Sequence, residues 1–166
     1  MKGGRRSGGV LMETVIFTPF LLMLLVGMIQ LGQVTYTYYA LQKILYTLAR
    51  YAGTQQGVDF CDDSDATVQA AKNYALTGTL DASANPIVAG LTADMLQIRA
   101  ERYSSANGDI GQCSCSIDCD TTNGGLAPDF IVASIPGGYS YQLVFFGLRV
   151  DPILLRPEVR LPYGGT

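Results

Sequence analysis

The chain has 166 residues, with eleven Lys and Arg against fourteen Asp and Glu, and no histidine at all. Without imidazole, Ser-His-Asp and Cys-His chemistry is excluded within the chain, and so is histidine ligation of a metal. The charges are segregated: residues 1–50 carry five cations against Glu13 alone, and residues 51–166 carry six against thirteen acids, a balance that argues against nucleic acid as a partner.

Residues 10–31, VLMETVIFTPFLLMLLVGMIQL, form one apolar stretch, and no charge stands between Glu13 and Lys43. At helical rise it reaches about 33 Å, enough to cross a hydrocarbon core. Lys2, Arg5 and Arg6 precede it, so the positive-inside tendency predicts a cytoplasmic N-terminus and an exported remainder. The stretch is longer than the roughly 7–15-residue core of a secretory signal and no Ala-x-Ala cleavage pattern follows it, which favours an anchor. Glu13 is its anomaly. A charged carboxylate costs on the order of 2.5–3.5 kcal/mol at the centre of a span, so an acid there is a functional candidate; the bland alternative is an acid that snorkels to the headgroups. Pro19 frees the carbonyl of Val15 and predicts a kink or a locally melted turn, which the Thr18 hydroxyl can help to satisfy. Gly27 and Gly32 are five apart rather than four, and read as thin places for close packing rather than as a strict dimer motif.

Beyond the span, Val34, Tyr38, Leu41, Leu45, Leu48 and Ala52 recur every three or four residues, an amphipathic stripe in phase with a helix. One helix therefore continues to about Gly53, a natural stop, with its second half offering an apolar face to a globular domain.

About 115 residues follow, enough for one small domain with a modest core. A loop rich in Asp59, Asp62 and Asp63 leads to a helix over 66–76, capped by Ser64 or Asp65 and buried through Val68, Ala71 and Ala75. The acids read as capping and dipole compensation rather than as a calcium loop, since no Asx-x-Asx-x-Asx-Gly pattern is present. From Met95 the pattern changes to period two: Leu96, Ile98 and Ala100 alternate with Gln97, Arg99 and Glu101, a strand with one wet face. Residues 110–117 and 139–150 read as further strands, the second around the run LVFFGL. The expected fold class is α+β, a small antiparallel sheet packed on the second half of the long helix. The C-terminal run carries Pro152, Pro157 and Pro162, too interrupted for a second span, and reads as an extended edge.

Cys61, Cys113, Cys115 and Cys119 all fall in the exported half. An even count there is most simply two disulfides. Alternation puts Cys113 and Cys115 on one strand face, a poor geometry for pairing with each other, so Cys61 is expected to bond one of them and Cys119 the other. A four-thiolate zinc site is the weaker reading, because the spacing lacks paired C-x2-C knuckles.

The N-terminal third, RRSGGVLMETVIFTPFLLMLLVGMIQLGQ with Ala49-Arg50-Tyr51-Ala52 further on, resembles the TadE-like pseudopilins of tight-adherence (Tad/Flp) pilus systems, within the wider type IV pilin superfamily. Glu13 follows Gly8 by five, and Pro19 follows Glu13 by six. The resemblance implies a pilin-like fold, a leader over residues 1–8, a long helix over 9–53 and an exported domain over 54–166. It implies that a prepilin peptidase cuts between Gly8 and Gly9, with Gly9–Val10 the next-best bond, and that Glu13 then pairs with the N-terminal amine of a neighbouring subunit. Small residues at the cut suit an extended backbone entering a protease cleft. The implied partners are inner-membrane lipid, the peptidase, other pilin subunits bundled through their helices and an inner-membrane assembly platform. The implied place is the bacterial inner membrane and then an extracellular pilus. The expected function is that of a minor pilin or pseudopilin, not an enzyme, with no catalytic residue, cofactor or metal. The alternatives are an unprocessed single-pass anchor presenting a binding domain, and the main subunit of a filament.

Overall fold

A computed structural model describes residues 7–80, 84–105, 108–113, 119, 124–145, 148–149 and 151–164. Its dominant element is α1, a single helix over Ser7–Gly53, which begins two residues before the expected start at residue 9. It is helical through Pro19, with no melted turn there. Thr18 Oγ1 donates to the Thr14 carbonyl at 2.6 Å, and Thr35, Thr37 and Thr47 bond back in the same way to Leu31, Gln33 and Lys43. Turning each hydroxyl onto a carbonyl of the preceding turn lets threonine sit in an apolar helix with its polar group satisfied.

The two halves of α1 live in different surroundings. From Leu11 to Leu31 the large apolar side chains are exposed, and none of the most apolar window is buried in the protein. Above it, Leu41, Ile44, Leu45, Leu48, Ala49 and Ala52 are buried, and Val34 packs at the margin. The expected stripe therefore forms, except that Tyr38 stays 39% exposed. Each of the large aliphatic side chains contributes about 1.5–3 kcal/mol on burial, so the domain holds this half of the helix far more firmly than helix propensity would.

The second helix, α2, spans Ala66–Thr77. Asp65 Oδ1 accepts from the backbone N–H of Thr67 and Val68, at 2.7 and 3.2 Å, and Gly78 closes the helix in the left-handed region, φ 79°, donating to the Tyr74 carbonyl. Its inner face is Val68, Ala71, Lys72, Ala75 and Leu76. The lysine was not expected there.

A short 3-10 turn at Ala93–Met95 introduces the sheet. Strands β1 (Gln97–Ser104), β2 (Asp109–Gln112), β3 (Phe130–Ser134) and β8 (Glu158–Pro162) form one antiparallel sheet in the order β2-β1-β3-β8. In β1 the alternation holds, with Ile98 and Ala100 buried and Gln97 exposed. Strand β3 is the centre: Ile131, Val132 and Ala133 are completely buried. It packs on α1 along with β8.

Two expectations about strands are corrected. Residues 139–150 do not make one strand: β4 (Tyr139–Tyr141) pairs with β7 (Ile153–Leu155), whereas β5 (Val144–Phe145) pairs with β6 (Leu148–Arg149). Residue composition made the run look continuous, but each half finds a different partner. The strand expected over 110–117 is described only as β2, and 114–118 lie outside the described residues. The C-terminal run is an edge, as its prolines suggested: β8 lies outermost, with Pro162 opposite Phe130.

Gly53 ends α1 as expected, without a positive φ. Instead Thr54 Oγ1 donates to the Tyr51 carbonyl at 2.9 Å, and the backbone N–H of Gly164 donates to the Gly53 carbonyl, also at 2.9 Å. Tyr163 beside it donates its hydroxyl to the Gln55 carbonyl at 2.8 Å and meets Phe60 edge to face. Burial pushes the phenol of Tyr163 above its ordinary value. The C-terminal segment thus caps the long helix.

Candidate functional site

The polar features of the lower helix are few and widely spaced. Ser7, Gly8 and Gly9 form its first turn, so the peptide bond expected to be cut is helical. Two consecutive glycines are the weakest helix formers short of proline, each about 1 kcal/mol less favourable than alanine, so this turn unwinds at little cost. Glu13 stands one turn above Gly9, exposed, with no ion pair among the described residues. Pro19 is exposed a little under two turns further on. Gly8, Gly9, Glu13 and Pro19 thus share one continuous helical segment.

That segment ends where the domain begins. The Tyr141 hydroxyl of β4 meets Gln33 Oε1 at 3.4 Å, and the first core residue of the helix is Leu41. The arrangement separates an unpartnered apolar rod from a helix clad on one side.

The described cysteines belong to the globular domain. Cys113 and Cys119 form a disulfide with Cα atoms 5.8 Å apart, both residues buried. It ties the end of β2 to the segment that leads to β3. Cys61 is also disulfide-bonded, and Cys115 lies outside the described residues.

Each acid of the 59–65 loop has a local role. Asp59 Oδ1 accepts from the Cys61 N–H at 2.8 Å. Asp62 Oδ1 accepts from both the backbone N–H and the hydroxyl of Ser64, at 2.8 and 2.6 Å; the Ser64 hydroxyl and then its N–H hold that carboxyl below the ordinary aspartate value. Asp65 caps α2, and Asp63 takes Lys72 at 2.5 Å. This is the chemistry of a helix entry, built to order backbone.

Sequence reasoning passed over two groups. Lys72 is buried to 0% exposure; its place at helical spacing from Val68 and Ala75 was the available signal. The other is a row on the outer face of α1, Tyr36, Tyr39, Lys43, Tyr46 and Arg50, all exposed. Their spacing of three and four residues marks a face as clearly as the buried stripe does, although a mixture of Tyr and cations resembles an ordinary wet surface.

Comparison with known families matches residues 8–50 to the model described as TadE-like protein. The match covers the whole rod and most of the clad half of α1, and it points to a Tad-pilus-associated protein of a family of structural pilus components. Neither a curated protein nor a solved structure matches the chain.

Proposed function

We propose, from a TadE-like segment at residues 8–50, that this chain is a minor pilin or pseudopilin of a Tad-type pilus. It enters the inner membrane through α1 with its N-terminus in the cytoplasm, loses residues 1–8 to a prepilin peptidase and joins other subunits through the rod. The carrying observation is the rod itself, nearly all of whose large apolar side chains from Leu11 to Leu31 are exposed, and which holds a single acid. One apolar N-terminal helix of this kind fits a single-pass membrane anchor, and an acid inside it needs a partner.

After a cut between Gly8 and Gly9, the new amine lies four residues below Glu13, about 6 Å along the helix. Pairing within one chain competes with pairing to a neighbour. The neighbour's amine has the advantage when it sits level with the acid in a medium of low dielectric, where opposite charges attract most strongly. Two glycines at the bond make the local unwinding easy, and removal of Lys2, Arg5 and Arg6 lowers the cost of leaving the bilayer.

Mass spectrometry of the membrane-extracted protein tests the processing step. A mature chain beginning at Gly9 is expected; an intact Met1 in assembled material sinks the reading and leaves a single-pass anchor presenting a disulfide-bonded domain. That second reading draws on the helical state of the bond, which no peptidase can cut without unwinding it.

A further inference from the structure

Two parts of the globular domain come down to the level at which α1 leaves its apolar stretch. The first is the end of α2. Tyr74 packs on Tyr51, ring centroids 5.3 Å apart, whereas Gly78, just past the last turn, borders a groove of about 380 Å³ together with Tyr36, Tyr39 and Lys43. The second helix therefore descends as α1 rises. Ile87 lines the same groove, and its backbone N–H donates to the Leu76 carbonyl at 2.8 Å. Ile87 and Leu80 are 64% and 56% exposed, and Lys43 is the only charge among the described residues that line the groove.

The second part is the β4–β7 ribbon. At one end Tyr139 donates its hydroxyl to the Ala89 carbonyl at 2.7 Å, which ties the ribbon to the segment carrying Ile87. At the other end the Tyr141 hydroxyl meets Gln33 Oε1 at 3.4 Å, eight residues below Leu41, where the core begins. Ile153 stands directly opposite Tyr141 and is 40% exposed. Scattered apolar side chains on a surface need no explanation, but a group gathered at one level does.

That level is the edge of the membrane. Gln33 and Tyr36 are two and five residues past Leu31, about 3 and 8 Å higher at helical rise, and the interfacial layer is about 5–8 Å deep on each side. Helical side chains also lean toward the N-terminus, here toward the span. No linker separates span from domain, because α1 is one unbroken helix from Ser7 to Gly53; the height of the domain above the bilayer is fixed by the helix.

We infer that this foot of the domain is a second membrane contact, seated in the headgroup layer of the leaflet from which α1 emerges, with Tyr36, Tyr141, Ile87 and Ile153 against lipid. The inference rests on the membrane-inserted reading proposed above. Lipid is the occupant because the patch continues the exposed apolar surface of the rod without a break. Tyrosine, with an apolar ring and a wet hydroxyl, suits that layer, and Lys43 just above it meets the phosphates. A subunit that leaves the bilayer must therefore release its domain from the surface as well as its helix from the interior.

The chain contains no tryptophan, so a single introduced one reports its own surroundings. The full-length chain is placed in phosphatidylcholine vesicles, with and without bromine on the upper acyl chains, at a protein-to-lipid ratio low enough to keep the copies apart. Ile87→Trp and Ile153→Trp are expected to lose several-fold more emission to the brominated lipid than Tyr103→Trp. Tyr103 is the dry-land control: its N–H is held by Asp129, whose carbonyl takes the Tyr163 N–H beside the upper end of α1. Leu80→Trp and Leu154→Trp, both at exposed positions, replace either probe if its thermal melt departs from that of the native chain. Quenching at either probe no greater than at Tyr103 overturns the contact. Phe20→Trp, inside the span, separates the two failures: if it is quenched while the domain probes are not, the anchor stands and the contact is lost, and if it is not quenched, the membrane-inserted reading itself falls.

Discussion

The ammonium of Lys72 lies 2.5 Å from the Asp63 carboxylate, yet only 1% of the lysine side chain is exposed against 70% of its partner's. The side chain fills the inner face of α2 between Val68 and Ala75, and its covered ammonium meets the exposed carboxylate of Asp63 from beneath. Removing Asp63 leaves a cation whose stem is committed to the core, while replacing Lys72 by an apolar residue of similar length leaves an exposed, well-hydrated acid. Asp63→Asn is therefore expected to destabilise the domain by about 1–2 kcal/mol, below the usual cost of breaking a fully buried pair because one partner is wet. Lys72→Met is expected to be neutral within about 0.5 kcal/mol or stabilising. Chemical denaturation of the full chain in detergent, followed by near-ultraviolet circular dichroism, orders the two; a larger loss from Lys72→Met contradicts the account.

Glycines 53 and 78 close the two helices by different means, and substitution tells them apart. Gly78 holds φ 79°, where a Cβ is strained, so Gly78→Ala should cost about 1 kcal/mol. At Gly53 an added Cβ meets the Pro162 carbonyl oxygen at 3.7 Å and Ile131 at 3.9 Å, ordinary contacts. Gly53→Ala should thus stabilise the domain by up to about 1 kcal/mol through helix propensity. Thermal melts of the two variants must move in opposite directions.

These contrasts show what was legible in the sequence and why. The rod, the single acid, the capped helix at 66–77 and strand β1 were readable because each depends on a local period or a capping residue. Strand β3 was not: FIVAS is five residues long, follows a Pro- and Gly-containing stretch and is buried from Ile131 to Ser134, so it has no alternation to read. The run at 139–150 failed for the opposite reason, its apolar continuity hiding a change of partner between β4 and β5. The stop at Gly53 was readable from the glycine, whereas its cap, the Gly164 N–H, comes from the far end of the chain and no local signal announces it. At the candidate site, Glu13 was visible as a broken hydropathy pattern, and the outer row of α1 was not, since only the buried opposite face shows it to be unpartnered.

Asp62 gives the globular domain a measurable acid response. Both hydrogen bonds from Ser64 favour its ionised form, so its folded pKa lies below the ordinary 3.8. The stabilisation is complete above that ordinary value and is lost as pH falls through the lower folded value. Carbon-detected NMR titration should find the Asp62 midpoint depressed, and Ser64→Ala, which removes the hydroxyl bond and keeps the backbone one, should raise it part of the way back. An unchanged midpoint in the variant assigns the depression to the backbone N–H alone.

Glu13 separates anchoring from assembly. Glu13→Val removes an acid that disfavours the span, so insertion should be equal or better, by up to about 3 kcal/mol were the site central in the bilayer. A passive anchor would be indifferent to the change or improved by it. A subunit that pairs this carboxylate with a neighbour's amine should instead be lost from sheared filaments by about tenfold or more, the equivalent of one pairing contact of about 1.4 kcal/mol. Glu13→Gln refines the result: it keeps hydrogen-bonding capacity without charge, so filament levels close to those of valine assign the role to the charge, and levels close to those of glutamate assign it to a polar contact. Membrane fractions measured in parallel must hold constant amounts of all three proteins, which makes a loss in the filament fraction a failure of assembly and not of anchoring. Unchanged filament levels with valine would remove the acid from the assembly mechanism and leave it as a residue that reaches the headgroups.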